Sequence, residues 1–328
     1  MNEFKIKTRV IGVDVGVEVT TIAIVDIRGN IIAHDSFQTS EFPDANNYVS
    51  SLSEKIVMLA EANGGYETIR SVGMSAPSGN NLTGCIENAT NLPWKGVIPM
   101  AALLRDRLGI AVALANDAHI TALGELAFGS AHGMNDFIVV SLSHGGVGSC
   151  IISNGKVHLG VDGFAGEVGH VCVEPNGREC GCGRRGCLEQ YTSAKGIVRT
   201  ARELMEEDSR PSILRQQDGM LSPEAIVGAC EQGDVLAIEA LKRVGYKLGI
   251  GLAVYASVID PEAIVLTGPQ SRMGRWLTDP MQQSFNDHVF HNIRGKVPIL
   301  TSILDDKERD VLGASVLAWT VKEYSLFK

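Results

Sequence analysis

No run in the sequence approaches the ~20 consecutive apolar residues that a membrane-spanning helix requires. The longest uncharged stretch, Phe137 to Gly155, is interrupted by serines, a histidine and four glycines. The opening MNEFKIKTRV lacks the apolar centre of a secretory signal, so the chain is expected to be cytoplasmic. Basic clusters are missing too: 29 Lys and Arg stand against 38 Asp and Glu, a net charge of −9, whereas gripping a nucleic-acid backbone takes concentrated positive charge. Neither nucleic acid nor membrane is expected as a direct partner. The composition shows neither the low hydrophobicity of a disordered chain nor a collagen-like or coiled-coil repeat; hydrophobic residues make up 45% and charged ones 20%, with 36 Gly and 11 Pro. An even cysteine count, the mark of a disulfide framework, is also absent. Of the seven cysteines, Cys180, Cys182 and Cys187 fall close together, which points to metal binding in a reducing compartment. What the sequence does have is length: 328 residues exceed the ~250–300 at which one core stops growing, so two domains are expected.

Short β-branched runs alternate with amphipathic stretches, the signature of α/β architecture. Residues 10–13, 21–26 and 31–36 read as three strands, with Arg28-Gly29-Asn30 turning the second into the third. A helix is predicted over 44–63, buried strands over 71–75 and 111–115, and helices over 100–108 and 118–127. A second strand trio follows at 137–142, 148–153 and 156–159, with Asn154-Gly155 as its hairpin turn. VIGVDVGVEVTTIAIVDIRGNII and FIVVSLSHGGVGSCIISNGKVHL share one plan of strand, Gly-bearing turn, strand, Gly turn and strand. That plan predicts an internal duplication, although recurrent hairpins would look alike. Helices are predicted over 193–207, 223–232, 235–259 and 272–288, strands over 263–267 and 297–302, and a last helix over 310–324 that returns to the first lobe.

His170, Cys180, Cys182 and Cys187 supply one imidazole and three thiolates, a donor set suited to a closed, structural tetrahedral zinc site. The segment around them has few apolar residues, so metal binding would supply the folding free energy that burial cannot. Cys172, on the same strand face as His170, is a competing ligand; small buried residues or a redox pair are the alternative reading. Glu167 and Glu189 flank this loop, where their carboxylates could accept hydrogen bonds from sugar hydroxyls or simply face solvent. In ALANDAH, Asn116 and Asp117 stand at the carboxyl end of an apolar strand just before a helix, the place where open α/β sheets bind ligands. Asp117 there is either a helix N-cap or a base toward a hydroxyl nucleophile.

EVGH at 167–170, CGCGRRGCLE at 180–189 and AND at 115–117 resemble the signature of the ROK (repressor, open reading frame, kinase) family of sugar kinases and regulators. The resemblance runs from Asp14 to Ala314. It implies a two-lobed, duplicated actin/hexokinase-like (ribonuclease H-like) α/β fold with a zinc-bound loop. The expected lobes are 1–117 plus about 310–328, and 118–309 with the zinc loop at 167–189. The resemblance also implies zinc at His170, Cys180, Cys182 and Cys187, and sugar contacts from Asn116, Asp117, Glu167, His170 and Glu189. Ser78, in SAPSGNN, and Asn91, in ATNLPW, correspond more loosely to sugar-contacting loop positions. Asp117 is implied as the catalytic base, taking a proton from a hexose or N-acetylhexosamine hydroxyl as it attacks ATP. Asp14 resembles the Mg²⁺-associated aspartate, and Gly16, Gly145, Gly146, Gly148 and Gly268 the nucleotide-side glycines. A homodimer is likewise implied.

The departures from the family pattern all fall on the nucleotide side. The first phosphate loop, D-x-G-x-T in the family, is Asp14-Val15-Gly16-Val17-Glu18 here. A unit charge ~5 Å from phosphate at an effective dielectric of ~20 costs roughly 3 kcal/mol. The second loop, Ser143-His144-Gly145-Gly146-Val147-Gly148-Ser149, has lost a threonine, and Thr267-Gly268-Pro269 replaces a Gly-Gly pair. These changes leave a second expectation open, a sugar-binding sensor with weak or no kinase activity. Family repressors carry a helix-turn-helix module ahead of the first phosphate loop; with thirteen residues before Asp14, such a module, and with it a repressor, is not expected.

Overall fold

The computed structural model describes residues 7–143, 146–217 and 219–321. The first strands and helices are β1 (Arg9–Val15), β2 (Val19–Asp26), β3 (Ile31–Gln38), α1 (Ala45–Ala62), β4 (Ile69–Ala76), β5 (Gly79–Asn80), β6 (Cys85–Glu87) and β7 (Val97–Ile98). Then come α2 (Met100–Leu108), β8 (Ala111–Asn116), α3 (Asp117–Phe128), β9 (Phe137–Leu142), β10 (Val147–Ser153) and β11 (Lys156–Val157). The remainder is α4 (Glu189–Thr192), α5 (Ala194–Glu207), α6 (Pro223–Glu231), α7 (Val235–Ile259), β12 (Ala263–Thr267), α8 (Arg275–His288), β13 (Ile299–Thr301) and α9 (Arg309–Thr320). No helix among the described residues is long and apolar enough to cross a membrane.

Two compact units divide the chain. One holds the residues through Gly133, Gly160–Gly163 and those from Ile303 onward; the other holds Met134–Leu159 and Phe164–Ser302. In the first, the β-branched runs pair as an antiparallel meander and then continue in parallel, in the order β3-β2-β1-β4-β8. Burial of Ile11, Val13, Ile22 and Ile24 against Tyr48, Leu52 and Ile56 of α1 seals one face. Asp44 starts α1 by accepting a hydrogen bond from the Asn47 backbone N–H at 2.9 Å, and Gly109 in the left-handed region ends α2. α9 covers the other face of the sheet so closely that a Cβ on Gly12 or Gly73 would collide with the Val311 or Ala314 carbonyl.

The sheet of the second unit has the order β11-β10-β9-β12-β13, again an antiparallel meander followed by two parallel strands. The two orders are the same plan, so the duplication expected from the Gly-turn pattern is present in the topology. Ile138, Val140, Ile264 and Leu266 form a core with Leu248 and Leu252 of α7 and Phe285 of α8. α7 can lie flush on α8 because Gly245 and Gly249 face the Leu277 and Met281 carbonyls. The expected lobe boundary at residues 117/118 moves to Gly133, because α3 packs with α9 in the first unit through Ile120, Ala314 and Leu317.

Candidate functional site

Parallel pairing aligns the carboxyl ends of β1, β4 and β8: Asp14 pairs with Ser75, and Ala76 with Asn116. Asn116 is the N-cap of α3, its side-chain oxygen accepting from the Ala118 N–H at 2.9 Å. The capping role therefore falls to Asn116 rather than to Asp117. Asp117 is the first helical residue, exposed, with its Oδ1 also accepting from the Ala118 N–H at 2.8 Å. Asp14 lies close by. Burial, then the Asp310 carboxylate and, more weakly, Asp117, push its pKa up to about 7 against the opposing pull of Ser75 and Arg309. Asp310, in the first turn of α9, accepts from the Thr121 hydroxyl at 3.0 Å and from Arg309 Nε at 3.2 Å. Carboxylates gathered around one arginine are the hard oxygen donors a magnesium ion takes, and a cation there would relieve their repulsion. Asp310 and Arg309 were not among the residues expected from sequence.

The loop beyond β4 passes the same strand ends. Ser78 adopts a left-handed conformation, φ 55°, and Gly79 crosses so close to β8 that a Cβ there would lie 2.6 Å from the Ala115 carbonyl oxygen. Ser78 is thus brought beside the Asn116 segment. Asn91 lies on an exposed loop and accepts from the Thr90 hydroxyl at 3.1 Å. Its anchor is Trp94, whose indole N–H donates to the Phe42 carbonyl at 2.9 Å and whose ring packs 4.4 Å from Tyr48.

In the second unit, Ser149 of β10 donates to the Gly166 carbonyl and accepts from the Val168 N–H at 2.9 Å. These bonds fix the turn that carries Glu167 and His170. Glu189 begins α4 and accepts from the Val147 N–H at 3.3 Å. Partial burial raises the Glu167 pKa, with His170 lowering it and Glu189 raising it further, so the structure gathers all three expected side chains. Side-chain donor atoms of His170, Cys180, Cys182 and Cys187 all lie within 4.8 Å of one another. His170 Nδ1 is 3.6 Å from the Cys180 sulfur, and the Cys182 and Cys187 sulfurs are 3.7 Å apart. Zn–S bonds of ~2.3 Å in a tetrahedron put sulfurs ~3.8 Å apart, whereas a disulfide holds them at ~2.05 Å. The spacing therefore fits a shared metal. Hydrogen bonding, led by the Arg184 backbone N–H, pulls the Cys182 thiol down to about 6, while burial pushes Cys187 up to about 12. Cys172, expected as a competing ligand, is exposed and outside this four-donor group.

The expected nucleotide-side glycines have unlike roles. Gly16 closes the β1–β2 turn by donating to the Val19 carbonyl at 3.1 Å, and Glu18 is exposed in that turn. Gly146 abuts the Glu189 carboxylate. Gly148 lies inside β10 opposite Ser141, which makes it part of a strand body rather than of a loop. Gly145 lies outside the described residues. Gly268, φ +83°, follows β12 and leaves space filled by the Leu142 carbonyl. Beside it the Thr267 hydroxyl and both polar atoms of Gln270 are buried without hydrogen-bond partners among the described residues. Buried groups of that kind call for water or ligand.

A profile of the ROK family matches residues 10–321. A glucokinase of Halalkalibacterium halodurans is 29% identical over 318 residues, 95% of this chain and 94% of its own. A xylose repressor of Bacillus spizizenii is 26% identical over 308 residues, which are 93% of this chain and 75% of the repressor. The crystal structure of a ROK family glucokinase from Streptomyces griseus, in complex with glucose and AMPPNP, matches with a TM-score of 0.76 at 30% identity and covers 95% of this chain and 100% of that one. The duplicated α/β units accordingly have the actin/hexokinase-like fold, and the chain belongs to the ROK family.

Proposed function

We propose that the chain transfers the γ-phosphoryl group of ATP to a hydroxyl of a hexose or N-acetylhexosamine, with Asp117 as general base. The observation that carries this reading is the juxtaposition of Asp117 with Asp14 at the ends of strands in one sheet. In this reading Asp117 takes the proton of the sugar hydroxyl as that oxygen attacks the γ-phosphorus. Glu167 and Glu189 accept hydrogen bonds from neighbouring hydroxyls. His170, with Nδ1 turned to the thiols, keeps Nε2 for the sugar. Asn116, Ser78 and Asn91 belong to the same sugar-side set. Asp14 and Asp310 would hold magnesium, which supplies charge neutralisation for the phosphates. Zinc on His170, Cys180, Cys182 and Cys187 would be structural, since four protein donors leave no position for water.

Glucose is the first acceptor to try, because two of the three relatives reported above are glucokinases. The test is ADP release on mixing Mg-ATP with a panel of hexoses and N-acetylhexosamines; no release with any of them would overturn the kinase reading. A sugar-responsive regulator is the second reading. It is favoured by the xylose repressor relative and by Glu18, which stands where the family has a hydroxyl. Calorimetry with sugars and, separately, an ATP analogue distinguishes the two: tight sugar binding without nucleotide binding decides for the regulator.

A further inference from the structure

We propose that Cys172 and Cys187 form a reversible, hydroperoxide-driven disulfide that withdraws one thiolate from the metal cluster; the release of metal rests on the zinc reading above. The two residues are directly opposed in a short antiparallel bridge. Val173 N–H donates to the Gly186 carbonyl at 2.8 Å and Leu188 N–H to the Val171 carbonyl at 2.9 Å. Those bonds flank the pair without joining it, so Cys172 and Cys187 occupy a non-hydrogen-bonded position, where α-carbons are ~4.5 Å apart and side chains share a face. That lies within the ~4.4–6.8 Å range a disulfide spans. Gly186, φ +77°, leaves room for the sulfur: a Cβ there would lie 3.2 Å from Cys172 Sγ. Cys172 is exposed and Cys187 buried, so of this pair Cys172 is the one an oxidant in solution reaches; the other exposed thiol of the segment, Cys182, belongs to the four-donor cluster. Neither the four-donor cluster nor the proposed transfer reaction uses Cys172.

The chemistry balances with a hydroperoxide as oxidant. The Cys172 sulfur attacks an oxygen of hydrogen peroxide, an S–O bond forms as the O–O bond breaks, and water leaves. Cys187, departing the cluster as a thiolate, then displaces the hydroxyl from the Cys172 sulfur. That hydroxyl takes a proton from solvent and leaves as a second water. The two electrons that reduce the peroxide come from the two sulfurs. The cluster keeps only His170, Cys180 and Cys182, so His170 loses part of what orients it toward a sugar.

The test uses the full-length, reduced protein, with its zinc quantified beforehand. Hydrogen peroxide is added in increments, released zinc is read with a chromogenic chelator, and disulfides are mapped by peptide mass. The expected result is loss of about one zinc per chain, a Cys172–Cys187 linkage, and recovery on adding thiol reductant and zinc. Cys172→Ser, and independently Cys172→Ala, should keep their zinc at the dose that empties the wild type. Zinc loss from both variants at the wild-type rate, or linkages confined to Cys180, Cys182 and Cys187, would overturn the proposal. A reduced protein that carries no zinc would instead sink the metal reading and the release step, while the peptide map still decides whether Cys172 and Cys187 join.

Discussion

Asp14 ionises against its surroundings, and that conflict has a measurable consequence. In the unfolded chain its carboxyl titrates near ~3.9; in the fold, burial and the Asp310 and Asp117 carboxylates raise it to about 7. The folded chain therefore holds the proton more tightly across that interval. The stability this provides is complete at low pH and is lost as the pH rises through about 7. Melting curves recorded in chelator should show this decline, and Asp14→Asn should flatten it and melt higher than the wild type at alkaline pH, while losing magnesium-dependent turnover. Magnesium should stabilise the wild type more above that pKa than below it; a magnesium effect independent of pH would contradict this assignment. Asn116→Ala should cost about 1 kcal/mol of stability through the lost cap, as read by denaturant unfolding. Asp14, Asn116 and Asp117 were legible in sequence because short apolar runs ending in Asp or Asn announce strand ends. Asp310 and Arg309 were not: an acid and a base at the start of the last helix look like ordinary helix-end charges, and only α9 folding back onto the first sheet brings them to Asp14.

Most strands and helices could be read from β-branched runs and turn residues, with ends off by up to three residues; the last helix, expected to reach 324, ends at Thr320, and residues 322–324 lie outside the described residues. The sheet of β5, β6 and β7 could not, because strands of two or three residues are too short to show alternation. The predicted helix from 272 begins instead at Arg275, after a 3₁₀ turn over Pro269–Arg272. Interfaces between elements were equally hidden, since nothing in the sequence around Gly12 or Gly73 says that a helix backbone lies against them. Gly73→Ala forces a Cβ into the Ala314 carbonyl and should destabilise by about 1–3 kcal/mol. Apart from its own helix backbone and chain neighbours, Gly228 inside α6 has nothing among the described residues within 4 Å of its would-be Cβ. Gly228→Ala should therefore stabilise by up to ~1 kcal/mol through helix propensity. Equal responses of the two variants in chemical denaturation would contradict the packing of α9 on β1 and β4.

Each unit builds the same sheet and adds to it a different device, a carboxylate group in the first and a four-donor loop in the second. The duplication was visible as a repeated spacing of glycine turns, but which glycines sit in a turn and which in a strand was not, as Gly148 opposite Ser141 in β10 shows. The unit boundary near Gly133 was hidden for a related reason: α3 is bound by its packing on α9, which comes almost two hundred residues later. On the zinc reading the loop around the thiols would take its order from the metal, so purified protein should carry about one zinc per chain, and chelation should weaken sugar binding while the first unit keeps its melting transition. The most direct measurement of the whole account compares wild type and Asp117→Asn for ADP release with Mg-ATP and a bound hexose, with sugar affinity determined calorimetrically for both. The account predicts turnover lower by roughly 10²–10⁴-fold in the variant, with sugar affinity retained. Undiminished turnover, or a loss explained entirely by failure to bind sugar, would contradict it.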